Sequence, residues 1–123
     1  MVGLRGWWVC VGGGSAWVAG LRAAQEDFAN PTLIRDLVGL FLTRTPGKLD
    51  SVRRALAAGD AAAVREVAHS LRSNCGMLGA MEMAADCGRL EDAAARADLQ
   101  SAAAAFADVE SRLPAVLSAL SAL

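Results

Sequence analysis

From residue 30 onward, helix-capping residues alternate with apolar residues at helical spacing, and this alternation limits the fold more than any other feature. Asn30-Pro31 is typical of a helix start, because asparagine caps free backbone N–H groups and proline fits the first turn. Gly59-Asp60, Gly79 and Asp98 mark later helix ends and starts. The turns between these helices are short. We therefore predict an up-and-down helical bundle of antiparallel neighbours.

The composition supports an all-α fold. Alanine, the best helix former, occupies 27 of the 123 positions, whereas tyrosine is absent and phenylalanine occurs three times. Hydrophobic residues make up 54% of the chain, which is too apolar for a disordered protein. Twelve basic and thirteen acidic residues leave a net charge of −1 without a basic cluster, so we expect no nucleic-acid partner.

Three local patterns lead to more detailed predictions. The apolar spacing predicts that the first long helix buries Leu33, Leu37, Leu40 and Phe41. Thr45-Pro46 repeats the start signal, so a second helix is predicted to begin there. Pro114 lies within the apolar pattern of the last helix and predicts a kink or a break.

The cysteines, the methionines and one acidic pair have structural interpretations. Three widely spaced cysteines and a single histidine do not form a zinc set, so we expect reduced thiols in a cytoplasmic protein, with no metal and no cofactor. Cys75 and Cys87 are predicted to pack in the core. Glu91-Asp92 is interpreted as a solvent-exposed face. Three methionines near Gly79 are expected to fill gaps in the core: Met77, Met81 and Met83.

The first twenty residues differ in composition from the rest. They contain Trp7, Trp8 and Trp17 and half of the twelve glycines, with Arg5 as the only charged residue. We predict a poorly ordered segment over residues 1–22 and a bundle domain over residues 23–123 with an additional N-terminal helix. A secretory signal peptide is the alternative. The three consecutive glycines that end at residue 14 disfavour it, and the stretch is too short to span a bilayer, so no membrane contact is expected.

The single histidine, His69, falls on the polar face of the third predicted helix. At about 100° per residue, it lies roughly 140° from the first residue of the apolar face. Arg65 and Arg72 share this polar face with the small residues Ser73 and Gly76. Imidazole is a nucleophile at neutral pH, arginine binds phosphoryl oxygens, and small residues leave room for the active site of a partner. The alternative is an incidental surface histidine beside solvated arginines.

Four sequence segments resemble the motifs of one family. The segment AHSLRSNCGMLGA occupies residues 68–80, and CGRLE follows at residues 87–91. Upstream, FLTRTP occupies residues 41–46 and AGD occupies residues 58–60. These segments resemble the signature of histidine-containing phosphotransfer (Hpt) domains, and the similarity extends over about residues 30–120.

The resemblance implies a four-helix bundle in which His69 accepts a phosphoryl group and Arg72 contacts its oxygens. Arg72 stands where the family usually has lysine, and Ser73 stands where glycine is commonest. Arg65, Ser73 and Gly76 would contact the partner, which is a response-regulator receiver domain or a sensor histidine kinase. Such a carrier is expected to be a cytoplasmic monomer without a nucleotide or metal site of its own, either free-standing or part of a larger hybrid kinase.

Three alternatives remain at this point. The first is a helical module that binds a receiver or a kinase without phosphotransfer, although binding alone would not require His69 beside Arg72 and small residues. The second is a secreted bundle led by residues 1–20. The third is a nucleotide-consuming enzyme, which the absence of a glycine-rich phosphate loop from the sequence disfavours.

Overall fold

The computed structural model describes residues 17–27 and 32–123, and these residues form α-helices and no strand. Consecutive helices pack against each other and α2 also packs on α5, so α2 to α5 form a four-helix bundle to which α1 is attached through α2. The predicted all-α bundle with an additional N-terminal helix is confirmed. None of the described helices is long and apolar enough to cross a membrane. The helices are α1 (Val18–Asp27), α2 (Thr32–Ala58), α3 (Ala61–Leu78), α4 (Met81–Ala95) and α5 (Leu99–Ser121).

Short, well-capped turns hold α3, α4 and α5 side by side. Asp60 caps α3 by accepting a hydrogen bond from the N–H of Ala63 at 3.1 Å. Asp98 caps α5 in the same way, through the N–H of Ser101 at 3.1 Å. Gly79 ends α3 with a φ of 86°, a left-handed conformation that glycine adopts without a steric penalty. The helix ends and starts predicted at these residues are confirmed, and the short turns make neighbouring helices antiparallel.

Two prolines lie inside helices rather than at their ends. α2 continues through Pro46, so the helix start predicted at Thr45-Pro46 is wrong. A proline inside a helix costs about 3 kcal/mol, because it lacks the N–H that would bond to the preceding turn. Burial offsets this cost, since Phe41 and Leu49 on either side of the proline lie on one buried face, and each large apolar side chain contributes about 1.5–3 kcal/mol. α5 likewise continues through Pro114, so no break occurs there.

The buried face of α2 is rotated relative to the predicted one. Ile34, Val38 and Phe41 are buried, whereas Leu33 and Leu40 are 43% and 49% exposed. The prediction of a core position is therefore wrong for these two leucines. The apolar residues of α2 cover a wide arc of the helix, and the periodicity does not show which part of that arc faces α3 and α5.

The methionines near the turn between α3 and α4 differ in environment. Met83 is fully buried, but Met77 and Met81 are 66% and 65% exposed, so the predicted core role is wrong for these two. Met77 lies roughly 140° around α3 from the buried face, by helical geometry. Met81 is the first residue of α4. This end of the bundle therefore exposes two flexible apolar side chains.

α1 crosses the domain boundary predicted between residues 22 and 23. Val18 and Leu21 are buried, and the half-buried Trp17 packs against the same core. The boundary thus falls inside a helix whose first turn packs on the bundle. Residues 1–16 and the helix start predicted at Asn30-Pro31 lie outside the described residues.

A buried carboxylate that no sequence pattern indicated joins α4 to α5. The side chain of Asp86 is only 3% exposed, and its Oδ2 accepts a hydrogen bond from Nε of Arg112 at 2.6 Å. Its Oδ1 accepts from Arg89 on the same helix. Arg112 also pairs with Glu82 at 3.3 Å, and Arg89 pairs with Asp108 at 3.2 Å. The two arginines therefore link Glu82 and Asp86 of α4 to α5.

We predict that Asp86→Ala destabilises the bundle by about 2 kcal/mol, because it removes two charge-assisted hydrogen bonds from a buried acceptor. The loss stays moderate since Arg89 and Arg112 are 56% and 38% exposed and regain water. The matched control is Asp108→Ala, which removes an exposed partner of Arg89 and should cost less than about 0.5 kcal/mol. Urea unfolding followed by circular dichroism measures both. Equal effects of the two variants would contradict the structural role of Asp86.

Candidate functional site

α3 presents the single histidine to solvent. Ala68 and Leu71 are fully buried, whereas 67% of the His69 side chain is exposed. The position predicted from helical spacing, on the side of α3 away from the core, is confirmed. Arg72 is exposed on the same helix, and so are the three predicted partner-contact residues, Arg65, Ser73 and Gly76.

A carboxylate from α4 binds the histidine and one of the arginines. Oε2 of Glu91 lies 2.8 Å from Nδ1 of His69, and Oε1 of Glu91 lies 3.2 Å from Nη1 of Arg72. The side chain of Glu91 is only 14% exposed. The interpretation of Glu91 as part of a solvent-exposed face is therefore wrong, whereas its neighbour Asp92 is exposed as expected.

The turn at Gly79 brings Glu91 to the level of His69. α3 and α4 are antiparallel, and His69 lies ten residues before Gly79 whereas Glu91 lies twelve residues after it. With a rise of about 1.5 Å per residue, the two side chains are within one helical turn of each other along the helix axes. Leu90 is fully buried and fixes the rotation of α4, which places Glu91 at the edge that faces α3.

The hydrogen bond to Glu91 determines which nitrogen of His69 keeps a free lone pair. Burial would raise the pKa of Glu91, but the hydrogen bonds from His69 and Arg72 outweigh burial and hold this pKa below its ordinary value. A carboxylate only accepts hydrogen bonds, so Nδ1 of His69 carries the proton. In the neutral imidazole, Nε2 then holds the lone pair that can act as a nucleophile.

The side chain of Arg72 packs against α4. A Cβ placed on Gly88 would lie 3.6 Å from Nε of Arg72, which is ordinary van der Waals contact. The guanidinium therefore extends along α4 toward Glu91. Because Glu91 also binds His69, the positive charge of Arg72 stays near the imidazole.

Two depressions border the histidine helix. One lies between α2 and α3 and is lined by apolar and basic residues that include Leu40, Arg44, Lys48 and Met77. Lys48, one of the residues that line it, donates a hydrogen bond of 2.7 Å from Nζ to Oγ of Ser70. The other depression lies beside the imidazole itself and is lined by Ala62, Arg65, Glu66, His69 and Glu91.

A family model for the Hpt domain matches residues 36–123. The chain belongs to the Hpt domain family. None of the curated proteins compared and no solved structure matches the chain. Hpt domains act as phosphotransfer carriers in two-component signalling, where they interact with receiver domains and histidine kinases.

The sequence of this Hpt domain indicates two of the three side chains in the hydrogen-bonded group. His69 and Arg72 were expected at the site, whereas Glu91 was missed although it ends the segment CGRLE that carries part of the family resemblance. Ser73 and Gly76 follow His69 by about one and two turns of α3. They are exposed but do not line the depression beside the imidazole.

The two described cysteines of the Hpt domain belong to the core, as predicted. Cys75 and Cys87 are fully buried and free. The hydrogen bond that the Cys87 thiol donates to Cys75, together with burial, raises the pKa of Cys87, so Cys87 stays a neutral thiol. In the described part of the chain, no three His, Cys, Asp or Glu side chains converge as a set of metal ligands would.

Proposed function

We propose that this Hpt domain accepts a phosphoryl group on Nε2 of His69 and exchanges it with the aspartate of a response-regulator receiver domain. The observation that carries the proposal is the 2.8 Å hydrogen bond between Nδ1 of His69 and Glu91. This bond holds the ring in one orientation and leaves Nε2 as the nucleophile on an exposed surface. The domain works in the cytoplasm, where a sensor histidine kinase is the second source of phosphoryl groups.

In the proposed transfer, Nε2 attacks the phosphorus of the aspartyl phosphate in line with the P–O bond that breaks. The electron pair of that bond leaves with the aspartate carboxylate. The new N–P bond makes the imidazole ring positively charged, and the carboxylate of Glu91 stabilises this charge through Nδ1–H. The reverse reaction returns the phosphoryl group to a receiver. The kinase supplies the nucleotide and the receiver supplies its metal ion and catalytic carboxylates, so the carrier contributes the nucleophile and the charges around it.

The receiver is proposed to dock on the exposed face of α3. Ser73 and Gly76 have no bulky side chain that would keep a partner away from the imidazole. Met77 and Leu40 are exposed and extend this surface with apolar contacts. An interface of ordinary size buries about 800 Å² on each partner, so it extends well beyond the imidazole. The Hpt domain meets its partner as a monomer.

The proposed function is tested with receiver domains from the same organism. Each receiver is first labelled on its aspartate with radioactive acetyl phosphate and is then incubated with the purified chain. We expect at least one receiver to transfer label to the chain, and the label to be lost in acid but retained in alkali, as the N–P bond of phosphohistidine requires. Stable binding to a receiver without any transfer of label would refute the carrier function and would favour the interaction module.

We predict that Arg72→Ala slows labelling about tenfold, because it removes one charge-assisted contact to the phosphoryl oxygens at a solvent-screened surface. The nucleophile remains, so labelling is slowed and not abolished. Arg72→Lys should recover most of the rate, since it keeps the positive charge without the planar fork. Rapid-quench measurements of the label on the chain give the three rates. An unchanged rate in Arg72→Ala would exclude this role.

A further inference from the structure

The depression beside His69 lies on the N-terminal side of the ring. Side chains of an α-helix lean toward the helix N-terminus, so the imidazole covers the turn that contains Arg65 and Glu66 more than the turn that contains Ser73. The residues that line this depression agree with that direction. Ala62 lies about one turn before Arg65 and Glu66 on α3, and its side chain is only a methyl group, which leaves space in the depression.

Without Arg65, the net charge around this depression would repel a phosphoryl group. Arg72 is already hydrogen-bonded to Glu91, so these two charges largely offset each other. Glu66 adds a second carboxylate to the same depression. A phosphoryl group brings up to about two further negative charges. Arg65 is the remaining cation that lines the depression, and it forms no ion pair with a carboxylate in the described part of the chain.

We infer that Arg65 is a second phosphoryl-binding guanidinium, which contacts the phosphoryl oxygens on Nε2 of His69 from the side opposite to Arg72. The inference rests on the proposed function and replaces the contact with the partner protein that the sequence suggested for this arginine. Glu66 acts in the opposite sense, because its carboxylate repels the same oxygens. The opposite charges of Arg65 and Glu66 therefore set how readily the phosphoryl group is taken up and how long it stays.

The test uses the full chain and phosphoramidate, a small phosphoryl donor that needs no partner protein. Nε2 attacks phosphorus, the P–N bond of the donor breaks, and its electron pair leaves with ammonia after proton uptake. We expect Arg65→Gln to slow labelling about threefold to tenfold and Glu66→Gln to speed it about twofold, because the surface is screened by solvent. Arg65→Lys should lie between Arg65→Gln and the unchanged chain.

The matched control is Arg35→Gln, which removes the same charge from an exposed position on α2. Arg35 precedes Lys48 by thirteen residues, and Lys48 is bonded to Ser70 beside the histidine. Arg35 is therefore roughly 20 Å along α2 from the level of the site. Arg35→Gln should label at the rate of the unchanged chain. Circular dichroism melts verify that all variants are folded.

Phosphorus NMR of the labelled chain distinguishes a direct contact from a general effect of charge. A guanidinium against the phosphoryl oxygens favours their ionised form, so Arg65→Gln should raise the pKa of the phosphoryl group and Glu66→Gln should lower it. The other charged groups that face the phosphoryl group are Arg72 on α3 and Glu91 on α4, and they are the same in both variants. The inference would be overturned if Arg65→Gln had the same labelling rate and the same phosphoryl pKa as Arg35→Gln. It would also be overturned if Arg65→Gln were labelled more slowly but its phosphoryl pKa were unchanged.

These outcomes are separate from a failure of the proposed function. If the unchanged chain takes up label and His69→Gln does not, the carrier function stands whatever Arg65 does. If His69→Gln is labelled as well as the unchanged chain, the carrier function fails and the role of Arg65 fails with it.

Discussion

His69→Gln should abolish labelling by phosphorylated receivers and change the melting temperature by less than about 3 °C. The amide of glutamine has no lone pair that can attack phosphorus, so the acceptor is lost completely. The fold is retained because 67% of the histidine side chain is exposed and the buried neighbours Ala68 and Leu71 are not altered. The glutamine amide can still donate a hydrogen bond to Glu91. Receiver-dependent labelling and a thermal melt of the same preparation measure both effects.

The matched control for this experiment is Ser73→Gly, a change on the same exposed face. It removes a hydroxyl and restores the residue that is commonest in the family, so we expect unchanged or faster labelling. A His69→Gln chain that still becomes labelled would show that another residue is the acceptor. A His69→Gln chain that unfolds would show that the imidazole supports the fold.

Glu91→Ala should lower the rate of labelling about tenfold to hundredfold, which corresponds to the loss of about 1.5–3 kcal/mol from a hydrogen bond to a charged group. The variant loses the acceptor that orients His69 and the charge that stabilises the phosphorylated ring. Glu91→Gln should have a smaller effect, because its amide oxygen still accepts the hydrogen bond from Nδ1 without the negative charge. The labelling rates of both variants show whether Glu91 acts by orienting the His69 ring or through its negative charge. Asp92→Ala is the control at an exposed neighbouring position.

The position of Glu91 also determines how the site responds to pH. The pKa of Glu91 is lowered in the folded chain, so its contribution is fully present above the ordinary glutamate pKa and is lost as the pH falls through the lowered value. The hydrogen bond to His69 therefore persists in mildly acidic solution. A labelling rate in Glu91→Ala equal to that of the unchanged chain at every pH would exclude a positioning role for Glu91.

Much of the fold followed from signals that act within a few residues. Asp60 and Asp98 cap helices because each side chain reaches a backbone N–H three residues later. Gly79 ends α3 because it accepts a positive φ. The exposure of His69 follows from its spacing relative to the apolar residues of the same helix. Each of these features depends on one helix or one turn, so it could be predicted from the sequence.

The features that were missed depend on contacts between helices. Pro46 is a start signal by itself, yet it lies inside α2 because residues on both sides of it are buried in one core. The exposure of Leu40 and Met77 depends on which parts of an apolar helix surface the neighbouring helices cover. No local pattern contains that information.

The same distinction between local signals and contacts between helices applies to the candidate site. The sequence by itself determined an all-α bundle and placed His69 and Arg72 on an exposed helix face, because helical periodicity is a local property. Only the tertiary structure decided that Glu91, from the neighbouring helix, binds both of them. His69 and Glu91 lie on different helices, 22 residues apart, and meet because the packing of α3 against α4 fixes the level and rotation of each helix.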